Sequence, residues 1–309
     1  MRNSLLSAVA ATTLLLVASP ALAKGGTWVA VDLPNSESTM LFGINDKDTI
    51  AGQYTDSSGN VHGFISDFAG DKVTNIDDPD GDTQARGLND KNVVTGFDAG
   101  AYAPWEWSKG TLTAVTKDGT DLDQLIQGIT TKGVFTGDYT NTSTEEYVGY
   151  LGKNAKWTSD ITLKIDNSGY AGRAIDTAGD LAGWFEDPNT GLQHGWLLLK
   201  GAKKPMQLDY PNAQYTVIEG MNDNGYLTGQ WEDTSGNIHG FYYVIKTKKF
   251  TDLDVSGATL TQVWNINNSN VIAVTSSAGS YAYCLSKKGC PGKESRVKNP
   301  PAKYVPARP

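Results

Sequence analysis

Three histidines, His62, His194 and His239, are the only ones in the chain. Histidine is both a metal ligand and the side chain that changes charge near neutral pH, so three could form a metal or acid–base centre. Each precedes a glycine and an aromatic residue, in "HGF", "HGW" and "HGF". A second cluster, "DDPDGDT", sets Asp77, Asp78, Asp80 and Asp82 around a glycine. Alternating carboxylates on a bent loop suit a hard, oxygen-seeking cation such as calcium. The same residues are also what an ordinary turn is made of. Cys284 and Cys290 are the only cysteines. No Gly-x-Ser-x-Gly elbow, phosphate-cradling loop or His-Glu-x-x-His pair is present, and the plentiful carboxylates single out no glycosidase pair.

What positions these groups is a repeat. A strand glycine recurs at Gly52, Gly96, Gly137, Gly183 and Gly229, with Val274 in the sixth place, at intervals of 41 to 46 residues. Upstream of each stands a segment such as "GIND", "GLND" or "GMND", whose Asn-Asp favours a tight turn. Downstream come a polar loop, an aromatic strand and a fourth segment of alternating character, for example "KVTNID" or "KFTDLD". Four short strands repeated every 45 residues or so predict an all-β, six-bladed β-propeller over residues 24–290. The sixth unit lacks its own fourth strand after Cys290. "TWVAVD", residues 27–32, matches "KFTDLD" and is expected to complete the last blade and close the ring.

The repeat changes how the histidines read. One equivalent position in three units places them on separate sheets, which predicts repeated structural hydrogen bonds rather than one centre. The loops after the second and fourth strands share a face and gather carboxylates, including Asp187 and Asp233. These, with Trp184 and Trp231 as stacking rings, are the candidate ligand contacts. The tryptophans also suit the packing between blades.

The first 23 residues carry Arg2, an apolar run and Ala21-Leu22-Ala23, as a secretory leader does. Export would let Cys284 and Cys290 form a disulfide, worth roughly 2 kcal/mol for so short a loop. Residues 291–309 are basic and proline-rich and read as a disordered tail. A net charge of −8 argues against nucleic acid as partner, and no later stretch is long and apolar enough to span a membrane as a helix.

The units of form G-I-N-D, x-G-x-aromatic and H-G-aromatic resemble the HAF-type extracellular repeat of secreted bacterial proteins. The likeness is strongest in the first, fourth and fifth units. It implies export and a repeat fold, and carries no catalytic residues. The expectation is a monomeric, extracellular or periplasmic binding module for a polysaccharide, a cell-envelope component or a protein, with a polysaccharide hydrolase or lyase, or a structural matrix component, as alternatives.

Overall fold

The computed structural model describes residues 25–78, 81–117, 122–163, 165, 169–286 and 290. The leader, the tail and Asp80 lie outside these. Among the described residues there is no helix; the chain forms strands only. After β1 (Thr27–Val31), the first unit is β2 (Ser38–Ile44), β3 (Thr49–Thr55), β4 (Val61–Asp67) and β5 (Thr74–Ile76). The second is β6 (Thr83–Leu88), β7 (Val94–Asp98), β8 (Ala103–Ser108) and β9 (Thr111–Ala114). Then follow β10 (Leu122–Ile129), β11 (Val134–Asn141), β12 (Glu146–Lys153) and β13 (Lys156–Asp160), and β14 (Tyr170–Ile175), β15 (Leu181–Glu186), β16 (Gln193–Leu198) and β17 (Met206–Gln207). The fifth unit is β18 (Tyr215–Met221), β19 (Tyr226–Glu232), β20 (Ile238–Val244) and β21 (Lys249–Asp252); β22 (Thr261–Ile266), β23 (Val271–Ser276) and β24 (Gly279–Cys284) end the chain's strands.

The repeated glycine has a steric cause. Gly52, Gly96, Gly137, Gly183 and Gly229 each lie directly across from an aromatic residue of the next strand: Phe64, Trp105, Tyr150, Trp196 and Phe241. A Cβ on Gly52 would stand 2.9 Å from the Phe64 ring and 2.0 Å from the Met40 carbonyl oxygen. The bare backbone therefore makes room for the ring, and all five aromatic residues are buried. In the sixth unit Val274 faces Tyr281 instead.

The sheets close into a ring. The first strands touch in sequence, β2 to β6, β10, β14, β18 and β22, and β22 touches β2 again. As expected, β1 pairs antiparallel with β24, Thr27 opposite Cys284, and so completes the last sheet. Cys284 and Cys290 are joined by the expected disulfide. At the seam, the Asn267 side-chain amide donates to the Asn45 carbonyl at 2.9 Å.

The expectation of six separate blades needs correction. The strands form four separate four-stranded sheets and one eight-stranded sheet, in which β12 and β14 meet in parallel at Val148 and Tyr170. Glycine is the reason. Gly172 occupies the place held by Leu41, Ala85, Ile126, Ile218 and Val263 elsewhere, and a Cβ on the facing Gly149 would lie 2.9 Å from the Gly172 nitrogen. With no side chains to hold them apart, the two backbones come within pairing distance.

Asn267→Ala removes both the donation to Asn45 and the acceptor for the Val271 N–H, each buried. Urea unfolding should show a loss of about 1–3 kcal/mol, the cost of orphaning buried polar groups; an unchanged midpoint would mean that the seam bond adds nothing.

Candidate binding surfaces

The turn asparagines serve two ends at once. The Oδ1 of Asn45, Asn89 and Asn222 accepts backbone N–H groups of its own turn. Their Nδ2 groups donate onward to the carbonyls of Asn89, Thr130 and Asn267. A second tier runs from Asp223 N–H to Asn268 Oδ1, from Asn268 N–H to Asp46 Oδ1, and from Asp46 N–H to Asp90 Oδ1. These turns rim an axial funnel of about 70 Å³, to which every unit contributes and whose lining includes Arg173 and Glu219. That is room for a few water-sized groups, not for a sugar ring.

Beneath the rim lies a constellation that the repeat reading did not single out. Each innermost strand carries a β-bulge just before its Gly-Ile-Asn-Asp segment. A bulge re-aims a side chain. The residue preceding that segment is Phe42, Arg86, Gln127, Arg173, Glu219 or Trp264 in the six units, and five of these, Phe42, Arg86, Gln127, Glu219 and Trp264, line a narrow space together. The Arg86 guanidinium lies 4.1 Å from the centre of the Phe42 ring and 4.5 Å from that of Trp264, and donates to Gln84 from Nε and Nη2. Arg173 Nη1 is 3.5 Å from Asp138 Oδ1, at ion-pair range. Burial pushes the carboxyls of Glu219 and Asp138 up, against the pull of both arginines, and brings Arg86 down to about 10. Arg86, Arg173 and Glu219 are half-buried as whole residues, while Arg86 Nη1, Arg173 Nε and Glu219 Oε2 are buried. The alignment held the signal: one strand position reads Phe, Arg, Gln, Arg, Glu, Trp where neighbouring positions keep their character.

The histidines are clasps, as the repeat predicts. His62 Nδ1 is 2.9 Å from Asp77, His194 Nδ1 is 3.0 Å from Asp209, and His239 Nδ1 is 2.8 Å from Asp254. The other ring nitrogen of His62 and His239 faces Asp56 and Asp233, at 3.3 and 3.4 Å. Each imidazole also stacks on the aromatic residue across the strand, Tyr54, Phe185 or Trp231. In the first and fifth units the clasp thus ties the loop after the second strand to the end of the fourth, and in the fourth unit it holds the end of the fourth strand alone.

Of the expected ligand contacts, Asp233 accepts the N–H groups of Ser235 and Asn237 and the Asn237 amide, and Asp187 accepts the N–H of Asn189. These bonds hold both carboxyls below their ordinary range, in Asp233 chiefly through Asn237. Trp184 is 4% exposed and packs on Tyr147. Trp231 is half-buried and stacks on Tyr210, with centroids 4.1 Å apart, as well as on His239. In the Asp77–Asp82 loop, Asp77 is taken up by His62, and the Asp78 N–H donates to Thr83 Oγ1. Among the described residues no group of three or more His, Cys, Asp and Glu side chains is placed to hold a metal ion.

No protein-family model matches this sequence, and neither does any curated protein. Solved structures do. The chain is similar to a streptogramin B lyase, with a TM-score of 0.50 and 11% identity over 84% of this chain and 97% of that one. It is similar to a gluconolactonase from Xanthomonas campestris, at 0.51 and 10% over 84% and 89%. TolB from Acinetobacter baumannii gives 0.52 and 11% over 78% and 64%. The fold is an all-β propeller. Identities this low carry the fold and no activity, and the three neighbours bear three unrelated names.

Burial alone would lower the pKa of His239, but its bonds to Asp254 and Asp233 outweigh that and raise it. Burial lifts Asp254 as well, against the pull of His239; the 2.8 Å contact and the Gly240 N–H on its other oxygen fit an ionised partner. A raised histidine adds stability that is full below the unfolded pKa and lost as pH rises through the folded one. The melting-temperature deficit of His239→Gln should therefore be larger around pH 5.5 than around pH 9; an equal deficit would show that the clasp carries no charge.

Proposed function

We propose that this protein is an exported, six-unit propeller of the HAF-repeat type that works as a non-catalytic binding module for a carbohydrate or another cell-envelope component. The unbroken circuit of six innermost strands and the six equivalent bulges support the count, with the eight-stranded sheet taken as two units touching through one bridge. The leader-like start and the disulfide support export. The three H-G-aromatic segments, each a clasp of one design, support the repeat family.

The observation that carries the binding reading is the clasp itself. Its histidine, the side chain that titrates nearest neutral pH, is spent in each case on a strand-end aspartate, and in the first and fifth units on a loop aspartate as well. Loops fixed before a ligand arrives lose little freedom on binding, which is how a recognition surface gains affinity. Asp187 and Asp233 shape those loops from within, and Trp184 and Trp231 support them from beneath. A polysaccharide hydrolase or lyase is the second reading; Glu219, whose carboxyl burial pushes up in the lining of the axial funnel, is the group it would use, and the funnel would have to widen to admit a sugar ring.

A glycan array probed with the secreted chain, with released sugar assayed in the supernatant, separates the two. Retention without release is the expected result. Release that disappears in Glu219→Gln would put the hydrolase or lyase first, and retention on no glycan would remove carbohydrate as the ligand.

A further inference from the structure

Consecutive units are joined by one device. The residue after the last aspartate of a unit donates its N–H to a threonine that opens the next. Asp78 donates to Thr83 at 2.8 Å, Tyr210 to Thr216 at 2.9 Å and Val255 to Thr261 at 3.1 Å. At the fourth-to-fifth junction the position is filled by a large side chain. The Tyr210 ring stacks on Trp231, packs edge-on to Phe250 and donates its hydroxyl to Asp252 at 2.5 Å.

At the fifth-to-sixth junction the same place holds Val255. The counterparts of Trp231 and Asp252 are Ser276 and Ala30. Beside Val255 a groove of about 410 Å³ opens, whose lining includes the polar Asn237, His239, Asp252 and Thr259 and the apolar Ile238 and Ala258. This volume is in the range of small-molecule sites, roughly 300–1,000 Å³, and well above that of the axial funnel. The groove lies where the fifth clasp ties its loop, so His239 and Asp254 hold its wall in place.

We propose that this groove is a binding site for one unit of a neutral or amino sugar. The proposal rests on the binding reading above and gives it a location and a ligand class. A pyranose has hydroxyls along its edge and C–H groups on its faces. The groove lining holds groups for both, with carboxylate, amide and hydroxyl groups as well as aliphatic carbons. Asp252 accepts from Tyr210 through Oδ1, leaving Oδ2 as an acceptor for a sugar hydroxyl, and the oxygens of Asn237 and Thr259, whose donors are held by Asp233 and Ser277, add acceptors beside it. Asp252 and Asp254 in the wall disfavour uronic acids and phosphorylated sugars, which would bring like charge into a partly desolvated site.

Two substitutions in the groove wall supply the test. Val255→Tyr enlarges a lining side chain, and Ser256→Trp places a large ring at the exposed lip of the loop without touching the core. The full secreted chain is titrated with glucose, galactose, mannose, glucosamine and glucuronate. The heat of binding is the readout, with total tryptophan fluorescence beside it, since Trp231 stacks on His239 in the groove wall. The expected result is saturable response to at least one neutral or amino sugar, none to glucuronate, and loss of response in Val255→Tyr and Ser256→Trp, with at least one of these melting as the wild type does. Response that survives in a folded variant would overturn the site while leaving the binding function standing. Glucuronate binding as tightly as the neutral sugars would overturn the ligand class. Silence of the wild type toward all five, with glycans still retained on the array, would overturn the groove alone; silence in both assays would take the carbohydrate reading with it.

Discussion

Asn267 reaches across the seam to the carbonyl of Asn45, 222 residues earlier in the chain, while β1 pairs with β24 on the rim of the same sheet. A four-stranded sheet that stood alone would expose both faces and two edges, and short strands cannot bury enough surface to hold together by themselves. Each sheet here is stable because it has a neighbour on either side, and only closure provides one for the first and the last. The stripe of buried residues that joins Leu41, Val29 and Val271 runs through this seam. Its contacts are distant in sequence, so closing the ring carries a loop-entropy cost that this buried stripe helps to offset.

Closure also decides what each repeat can do. In a ring, equivalent residues face the axis together or stand apart on separate sheets, according to their place along the strand. The bulged position of the innermost strand is the first kind, and it gathers two arginines, a glutamate and two large aromatic residues around the axis. The histidine position is the second kind, and it yields three independent clasps. A residue's chemistry is thus set by its radius in the disc as much as by its type.

Variation between units is where individuality enters. Gly149 and Gly172 bring two units into one sheet. The fourth-to-fifth junction packs Tyr210 on Trp231, whereas the loop that follows Asp254 borders a groove. Repeats supply the scaffold, and departures from the repeat supply distinct surfaces.

Much of this was legible in the chain alone. The glycine spacing, the turn asparagines and the match of "TWVAVD" to "KFTDLD" determined strands, order and closure, because these depend on local backbone demands that each unit states for itself. The histidines' structural role followed from their equivalence, and the Cys284–Cys290 pairing from the cysteine count. Distances between units were decided only by the tertiary structure. The channel constellation was hidden because its members lie 41 to 46 residues apart and differ in type. The fused sheet was hidden because it turns on two backbones meeting where side chains are missing. The groove was hidden because a cavity is the absence of atoms, visible only when everything around it has been placed.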